Sequence, residues 1–299
     1  MEFNKPKQKE WDELPSLDSV NTVFEPKRDG VRLAIVSGWT WNGGPQGYYP
    51  NSFSSTTDGI IECYTKSYKY KISKFPELIS DLQNFFPKQT PVVLDGELVT
   101  ETVNGDYFSN TSSRVLMDES KSRIYSKVHA RQLTYVVFDI RQYGNEDLQN
   151  SPLSYRRELL EKMFQAWNDD YVRVPTGRLK LIERLENKND ITKEYCFEND
   201  LEGIVVKDNT KPYMSNWYKI KAYYDDIFKI VSVREGKRDY IMTLSNDEDE
   251  IVGDCTLFAK NQIGVDTLVG RKVDVSYMKG PNKKLRFPVF KRFIDNGDN

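Results

Sequence analysis

The 299-residue chain changes character near Tyr223, and that change constrains its architecture more than any other feature. Upstream, apolar or alternating stretches at 31–36, 91–99, 133–140, 203–207 and 217–221 predict strands, with Val and Ile prominent. Helical patterns fall between them at 76–86 and 154–168. In the second, Leu159, Leu160, Met163, Phe164 and Trp167 form one apolar stripe, and Ser154 is the expected N-cap. Downstream there is no convincing helix. Short strands are predicted over 227–233, 240–244, 255–258 and 272–277, separated by turn-rich spacers. A compact antiparallel barrel such as an OB fold suits that pattern. The expectation is an α+β protein with residues 1–222 in a mixed domain and 223–299 in a small barrel. Segment 42–59, with its Gly, Pro, Ser and Thr content, predicts a loop, and the acidic run Asp247–Glu250 predicts a solvated turn.

Charge and cysteine usage exclude several function classes. His129 is the only histidine, so Ser-His-Asp and multi-histidine metal chemistry are poorly served. Any catalysis must run on Lys, Arg, Asp and Glu. Cys63, Cys196 and Cys255 are far apart and odd in number, which suggests neither a disulfide framework nor a CxxC metal pair. No apolar run approaches the ~18 residues of a membrane span, and Met1–Pro6 does not begin a signal peptide. These features predict a non-secreted, cytoplasmic chain without a membrane partner. The net charge is only −2, yet segment 271–292 holds eight basic residues against Asp274 alone. Such a stripe fits either a polyanion contact or an ordinary solubilising face.

Five short segments carry the remaining chemistry. Glu25-Pro26-Lys27-Arg28-Asp29-Gly30-Val31-Arg32 alone reads as a turn between strands. Val92-Val93-Leu94-Asp95-Gly96-Glu97-Leu98-Val99 places poor strand formers inside an apolar stretch, as a bulge at a strand end would. Tyr135-Val136-Val137-Phe138-Asp139-Ile140 alone is a core strand. Leu201-Glu202-Gly203-Ile204-Val205-Val206-Lys207 brackets an apolar strand with charges. Trp217-Tyr218-Lys219-Ile220-Lys221 puts two ammonium groups on one strand face, where they repel unless a polyanion lies between them.

In this order the five segments resemble the covalent nucleotidyltransferase superfamily of ATP-dependent DNA ligases, RNA ligases and mRNA capping enzymes, over roughly residues 21–292. EGIVVK, the position of Glu25 and the segment Leu285–Arg292 are most similar to DNA ligases, especially the smallest viral and phage enzymes. Three features depart from the pattern. Lys66, in Tyr64-Thr65-Lys66-Ser67-Tyr68, stands where Arg is usual. Segment 42–59 resembles an insertion. The last motif ends Phe293-Ile294-Asp295-Asn296, without Arg-x-Asp-Lys.

The resemblance implies a nucleotidyltransferase (adenylation) domain of antiparallel sheets and helices followed by an OB barrel. It implies ATP and Mg²⁺ as cofactors, with Mn²⁺ as a substitute, and nicked duplex DNA with 5′-phosphate and 3′-OH as the partner of a monomer. Lys27 is then the nucleophile, with Arg28 and Arg32 as nearby cations. Lys219 and Lys221 act on the α-phosphate, Glu25 accepts from adenine N6, and Phe138 stacks on the purine. Arg32 and Glu97 hold the ribose side, Glu97 and Glu202 bind metal, and Lys66, Arg286, Lys291 and Arg292 contribute to nucleotide binding. A capping guanylyltransferase or RNA ligase is the alternative enzyme. The non-enzymatic alternative is a nucleic-acid-binding OB protein with an inactive transferase domain.

Overall fold

A computed structural model describes residues 5–37, 39–41, 53–55, 61–87, 90–100, 107–128, 132–169, 175–186, 191–199, 201–237, 239–258, 267–280 and 284–294. The elements are β1 (Lys7–Lys9), α1 (Leu14–Leu17), β2 (Thr22–Lys27), β3 (Val31–Ser37), β4 (Trp39–Trp41), β5 (Phe53–Ser55), β6 (Ile61–Tyr64) and β7 (Lys69–Lys71). Next come α2 (Pro76–Phe85), β8 (Val92–Thr100), α3 (Tyr107–Leu116), α4 (Glu119–Tyr125), β9 (Leu133–Tyr143), β10 (Glu146–Asp147) and α5 (Leu153–Asn168). β11 (Leu179–Leu181), α6 (Lys193–Glu198), β12 (Gly203–Asp208) and β13 (Tyr218–Lys221) complete the first compact unit, Met1–Lys221. The second unit, Ala222–Asn299, consists of β14 (Tyr224–Glu235), β15 (Tyr240–Ser245), β16 (Ile251–Leu257), β17 (Lys272–Lys279) and β18 (Leu285–Ile294).

Among the described residues two large sheets and a separate two-stranded one, β4-β5, build the first unit. One large sheet has the order β1-β13-β12-β2, and the other runs β10-β9-β8-β3-β6-β7 with β11 added beside β9. Alternation along β3, β8 and β9 points Leu33, Ile35, Leu94, Leu98, Tyr135 and Val137 into one core. Leu78, Leu82 and Phe85 of α2, with Leu160, Met163, Phe164 and Trp167 of α5, fill the same core. Burying each such side chain contributes roughly 1.5–3 kcal/mol.

The second unit is a closed barrel ordered β14-β15-β16-β18-β17, with β16 and β18 touching in parallel, which is an OB-type arrangement. Its core includes Ile230, Met242, Leu244, Val273 and Val275. The α+β architecture and the terminal barrel agree with the sequence pattern. Asp247–Glu250 is an exposed turn, as expected.

Local expectations needed three corrections. Ser154 is not the N-cap; α5 begins a residue earlier, with Pro152 in that position and no side-chain cap. Its first amides are satisfied from afar, Leu153 N–H by Lys211 O at 3.0 Å and Ser154 N–H by Asn209 O at 2.9 Å. Within 42–59, Phe53–Ser55 is a strand paired with Trp39–Trp41; 42–52 and 56–59 lie outside the described residues. Asp95-Gly96 sits inside β8, and the bulge lies on its neighbour. Asp95 pairs with Asp139 and Gly96 with Val137, leaving Phe138 as the extra residue of β9. A Cβ at position 96 would approach Val136 O to 2.6 Å, so glycine is required for the strands to close there.

Asp139 and Arg156 form a fully buried bidentate pair at 2.8 Å that ties β9 to α5. Truncating one partner of such a pair strands the other charge. Arg156→Leu is expected to lose about 3–5 kcal/mol of stability, read as a lowered urea midpoint. Recovery of part of that loss in Asp139→Leu/Arg156→Leu would identify the stranded carboxylate as its cause.

Candidate active site

A cavity of about 310 Å³ opens between the two large sheets of the first unit. The β1-β13-β12-β2 sheet contributes Glu25, Lys27, Val205, Lys207 and Lys219, and the larger sheet contributes Arg32, Glu97, Val136 and Phe138. β2 contains Pro26, which the sheet tolerates because β2 is an edge strand. Its register sets Lys27 opposite Gly203, and Gly203 lies opposite Lys221 on the other side. Gly203 has φ +149°, and a Cβ there would lie 2.0 Å from Ile220 O. Glycine thus permits the close approach that brings the preceding Glu202 to Lys27 O, where its N–H donates at 3.0 Å.

The Glu202 carboxylate bridges two predicted cations. Lys27 Nζ donates to Glu202 Oε2, and Lys221 Nζ lies 2.5 Å from Glu202 Oε1. Burial alone would raise the Glu202 pKa, but the charge of Lys27 and the hydrogen bonds from Lys221 and Lys27 outweigh it and hold the carboxyl below its ordinary range. Lys219 is shifted down, first by desolvation and then by the charges of Lys221, Lys27 and Lys5. The period-two spacing therefore does bring two like charges together.

Glu25 is 2% exposed, and its Oε2 pairs with buried Lys207 at 2.5 Å. Its Oε1 is buried without a hydrogen-bond partner. An unsatisfied carboxylate oxygen at a cavity wall is costly unless a ligand donor reaches it. Phe138, displaced by its bulge, presents a ring to the same cavity and meets Trp217 edge-on at 6.2 Å. An aromatic face beside an unsatisfied acceptor suits a planar base with an exocyclic amine.

The arginines near Lys27 face carboxylates. Arg28 reaches Glu183 at 3.4 Å. Arg32 makes a fork to fully buried Asp95 at 3.1 and 2.6 Å and donates to Tyr213 Oη at 2.6 Å; Tyr213 Oη in turn donates to Asp95. Arg32 stands opposite Glu97 in the β3–β8 register.

Glu97 is half-buried, and desolvation pushes its carboxyl up to about 8 against the pull of Lys27 and Arg32. The unfolded value is near 4.5, so between these limits the folded chain holds the extra proton and stability falls as pH rises. Glu97→Gln, which mimics the protonated form, should gain melting temperature relative to wild type from about pH 5 to about pH 8. Parallel curves for the metal-free, nucleotide-free proteins would show that no proton is held there.

Lys66 is exposed in a turn and does not line the cavity. Arg286, Lys291 and Arg292 lie on β18 of the barrel, where Lys291 pairs with Asp225 at 3.2 Å and Arg292 with Asp274 at 3.4 Å. Sequence reasoning missed Asp95, Lys207, Tyr213 and Trp217 as site residues. Asp95, Lys207 and Trp217 stand inside quoted motifs and were within reach; Tyr213 carries no local signal. No cluster of three or more potential metal-ligating side chains occurs among the described residues. A donor set of Glu97 and Glu202 still suits Mg²⁺, which commonly takes one or two carboxylates and completes its shell with phosphate and water oxygens.

Residues 12–221 match the profile of the ATP dependent DNA ligase domain. The SPbeta prophage-derived DNA ligase-like protein LigB of Bacillus subtilis (strain 168) is 26% identical over 238 residues, covering 78% of this chain and 72% of that protein. A DNA ligase of Methanococcus aeolicus is 22% identical over 224 residues, and there the match spans 70% of this chain but 34% of the archaeal protein. Among solved structures, a Lig E DNA ligase studied for DNA binding with a minimal scaffold shares the fold, with TM-score 0.60 at 16% identity and coverage of 98% and 99% of the two chains. With a matched domain spanning most of the first unit and the cavity it encloses, the chain belongs to the ATP-dependent DNA ligase family.

Proposed function

We propose that this chain seals nicks in duplex DNA through a lysyl-AMP intermediate on Lys27. The supporting observation is the cluster of Lys27, Glu202 and Lys221 at a cavity whose wall carries the unsatisfied Glu25 oxygen. Adenine N6 donates to Glu25, and the purine packs on Phe138. Lys27 Nζ, once its ammonium proton has passed to solvent, attacks the α-phosphorus of ATP; the N–P bond forms, the bond to the β-phosphate oxygen breaks, pyrophosphate leaves with the electron pair, and the nitrogen releases a second proton to solvent. Lys219 and Lys221 offset charge building on the α-phosphoryl oxygens.

In the second step a 5′-phosphate oxygen of DNA attacks the same phosphorus, the P–N bond breaks, and Lys27 departs as an amine whose nitrogen takes up a proton from solvent. In the third, the 3′-oxygen attacks the 5′-phosphorus and AMP leaves. Arg32, held by Asp95 and Tyr213, and Glu97 serve the ribose side. Mg²⁺, or Mn²⁺ in its place, held by Glu97 and Glu202, would neutralise phosphate charge. The basic residues of β18, Arg286, Lys291 and Arg292, supply further phosphate contacts. Lys66 belongs with the DNA surface rather than the nucleotide in this reading, because it is exposed and outside the cavity.

The prophage-derived relative supports a minimal phage-type enzyme. The buried free thiols of Cys63, Cys196 and Cys255 support a reducing, cytoplasmic setting. A monomer is the reading carried over from the family resemblance. The test is incubation with radiolabelled ATP or GTP, followed by nicked DNA or nicked RNA. An adduct from ATP that is discharged by joining nicked DNA is expected. An adduct from GTP, or joining confined to RNA, would favour the capping or RNA-ligase reading, and no adduct at all would favour an inactive transferase.

A further inference from the structure

The cavity has a contributor outside all five motifs. β1 adds in parallel to the edge of β13, with Lys7 opposite Tyr218, Gln8 opposite Lys219 and Lys9 opposite Ile220. The ladder is anchored by Lys7 N–H, which donates to Trp217 O at 3.0 Å. It sets the residues just before it, Lys5 and Pro6, into the wall of the cavity that Lys27 and Lys219 line. The Lys5 ammonium is near enough to Lys219 to act on its charge, alongside Lys221 and Lys27.

The local charge does not balance. Lys27 and Lys221 share the single carboxylate of Glu202. Lys9, on the same short strand, has its own partner in Glu13 at 2.5 Å. No carboxylate partner is found for Lys5 among the described residues. Like charges gathered at a partly desolvated cavity repel, and an anion placed among them reverses the sign of that interaction.

We propose that Lys5, delivered by the parallel strand β1, is a further phosphate-binding residue of this site. It takes phosphate oxygens beside Lys219, either the β- and γ-phosphates of ATP during self-adenylation or the 5′-phosphate of the nick afterwards. The proposal rests on the ligase reading above and adds to it a residue that no motif contains.

The test compares full-length wild type, Lys5→Ala, Lys5→Arg and Lys9→Ala. The first arm follows adduct formation over a range of ATP concentrations. The second measures affinity for a nicked duplex carrying or lacking the 5′-phosphate, as a function of salt. If ATP is the source, Lys5→Ala raises the KM for ATP about tenfold, the scale of one hydrogen bond to a charged group, with kcat little changed. If the nick is the source, Lys5→Ala weakens binding only to the 5′-phosphorylated duplex and lowers the salt slope by about one.

In either case Lys5→Arg restores the value and Lys9→Ala leaves it unchanged. Wild-type values for Lys5→Ala in both arms overturn the proposal. So does an equal loss in Lys9→Ala with no rescue by arginine, which makes the effect one of strand integrity. Failure of the wild type itself to form an adduct from ATP would instead overturn the ligase reading, so the two failures are distinguishable.

Discussion

Lys27→Ala is expected to abolish the covalent adduct from labelled ATP, a loss of at least about 10⁴-fold, as for removal of other catalytic nucleophiles. The fold should survive. Lys27 ends an edge strand and is only partly buried, so truncation removes little core. The variant does release one of the two ammonium groups on Glu202, and Lys221 remains on the other oxygen. A melting temperature near wild type should therefore accompany the lost label. The same protein given a nick already adenylated at its 5′-phosphate should retain more activity, because the third step forms no bond to Lys27. If label from ATP still appears, mapped to another lysine, the assignment of the nucleophile is wrong.

The next largest effect is expected at β13. Lys219→Ala and Lys221→Ala should each slow adenylation about 10²–10³-fold, the usual size for one preorganised donor aimed at developing charge. Nucleotide binding should weaken less than the rate, because the transition state places more charge on the α-phosphoryl oxygens than the ground state does. The two lysines differ in one respect. Lys221 also holds Glu202, whereas Lys219 makes no ion pair among the described residues and lines the cavity directly. Lys221→Ala should thus perturb the Glu202 carboxyl as well, and the double variant should lose less than the product of the single losses. Single-turnover rates over an ATP titration would test this. Unchanged rates in both single variants would make this strand an ordinary solvated face.

The strand face on which those two lysines lie was legible because a strand repeats every two residues, whatever surrounds it. The same kind of local rule made the helices at Pro76–Phe85 and Leu153–Asn168 and most barrel strands recognisable. It failed at α3, whose Ser, Asn and Thr are weak helix formers. Tertiary contacts hold that helix. Arg114 reaches Glu77 at 2.9 Å, and Thr111 Oγ1 accepts from Thr100 N–H at 2.8 Å. It missed the strand β2 as well, which has Pro26 within it and gains its ladder from β12, although the expected turn between strands does fall just after it, at 28–30.

By itself, then, the sequence determined the kinds of chemistry available, a lysine- and carboxylate-based site with no histidine engine, and the order of the segments that bear it. Only the tertiary structure decided which groups meet. Lys27 and Glu202 are 175 residues apart, and Arg32 and Tyr213 are 181. No periodicity extends over such separations; strand register does. The register of β8 against β9 leaves Phe138 as a bulge facing the cavity, and that of β2 against β12 brings Glu202 to Lys27. Pairing of β1 with β13 adds Lys5 to the wall. Each is a hydrogen-bonded alignment between distant segments, where a shift of one residue would turn these side chains to the opposite face.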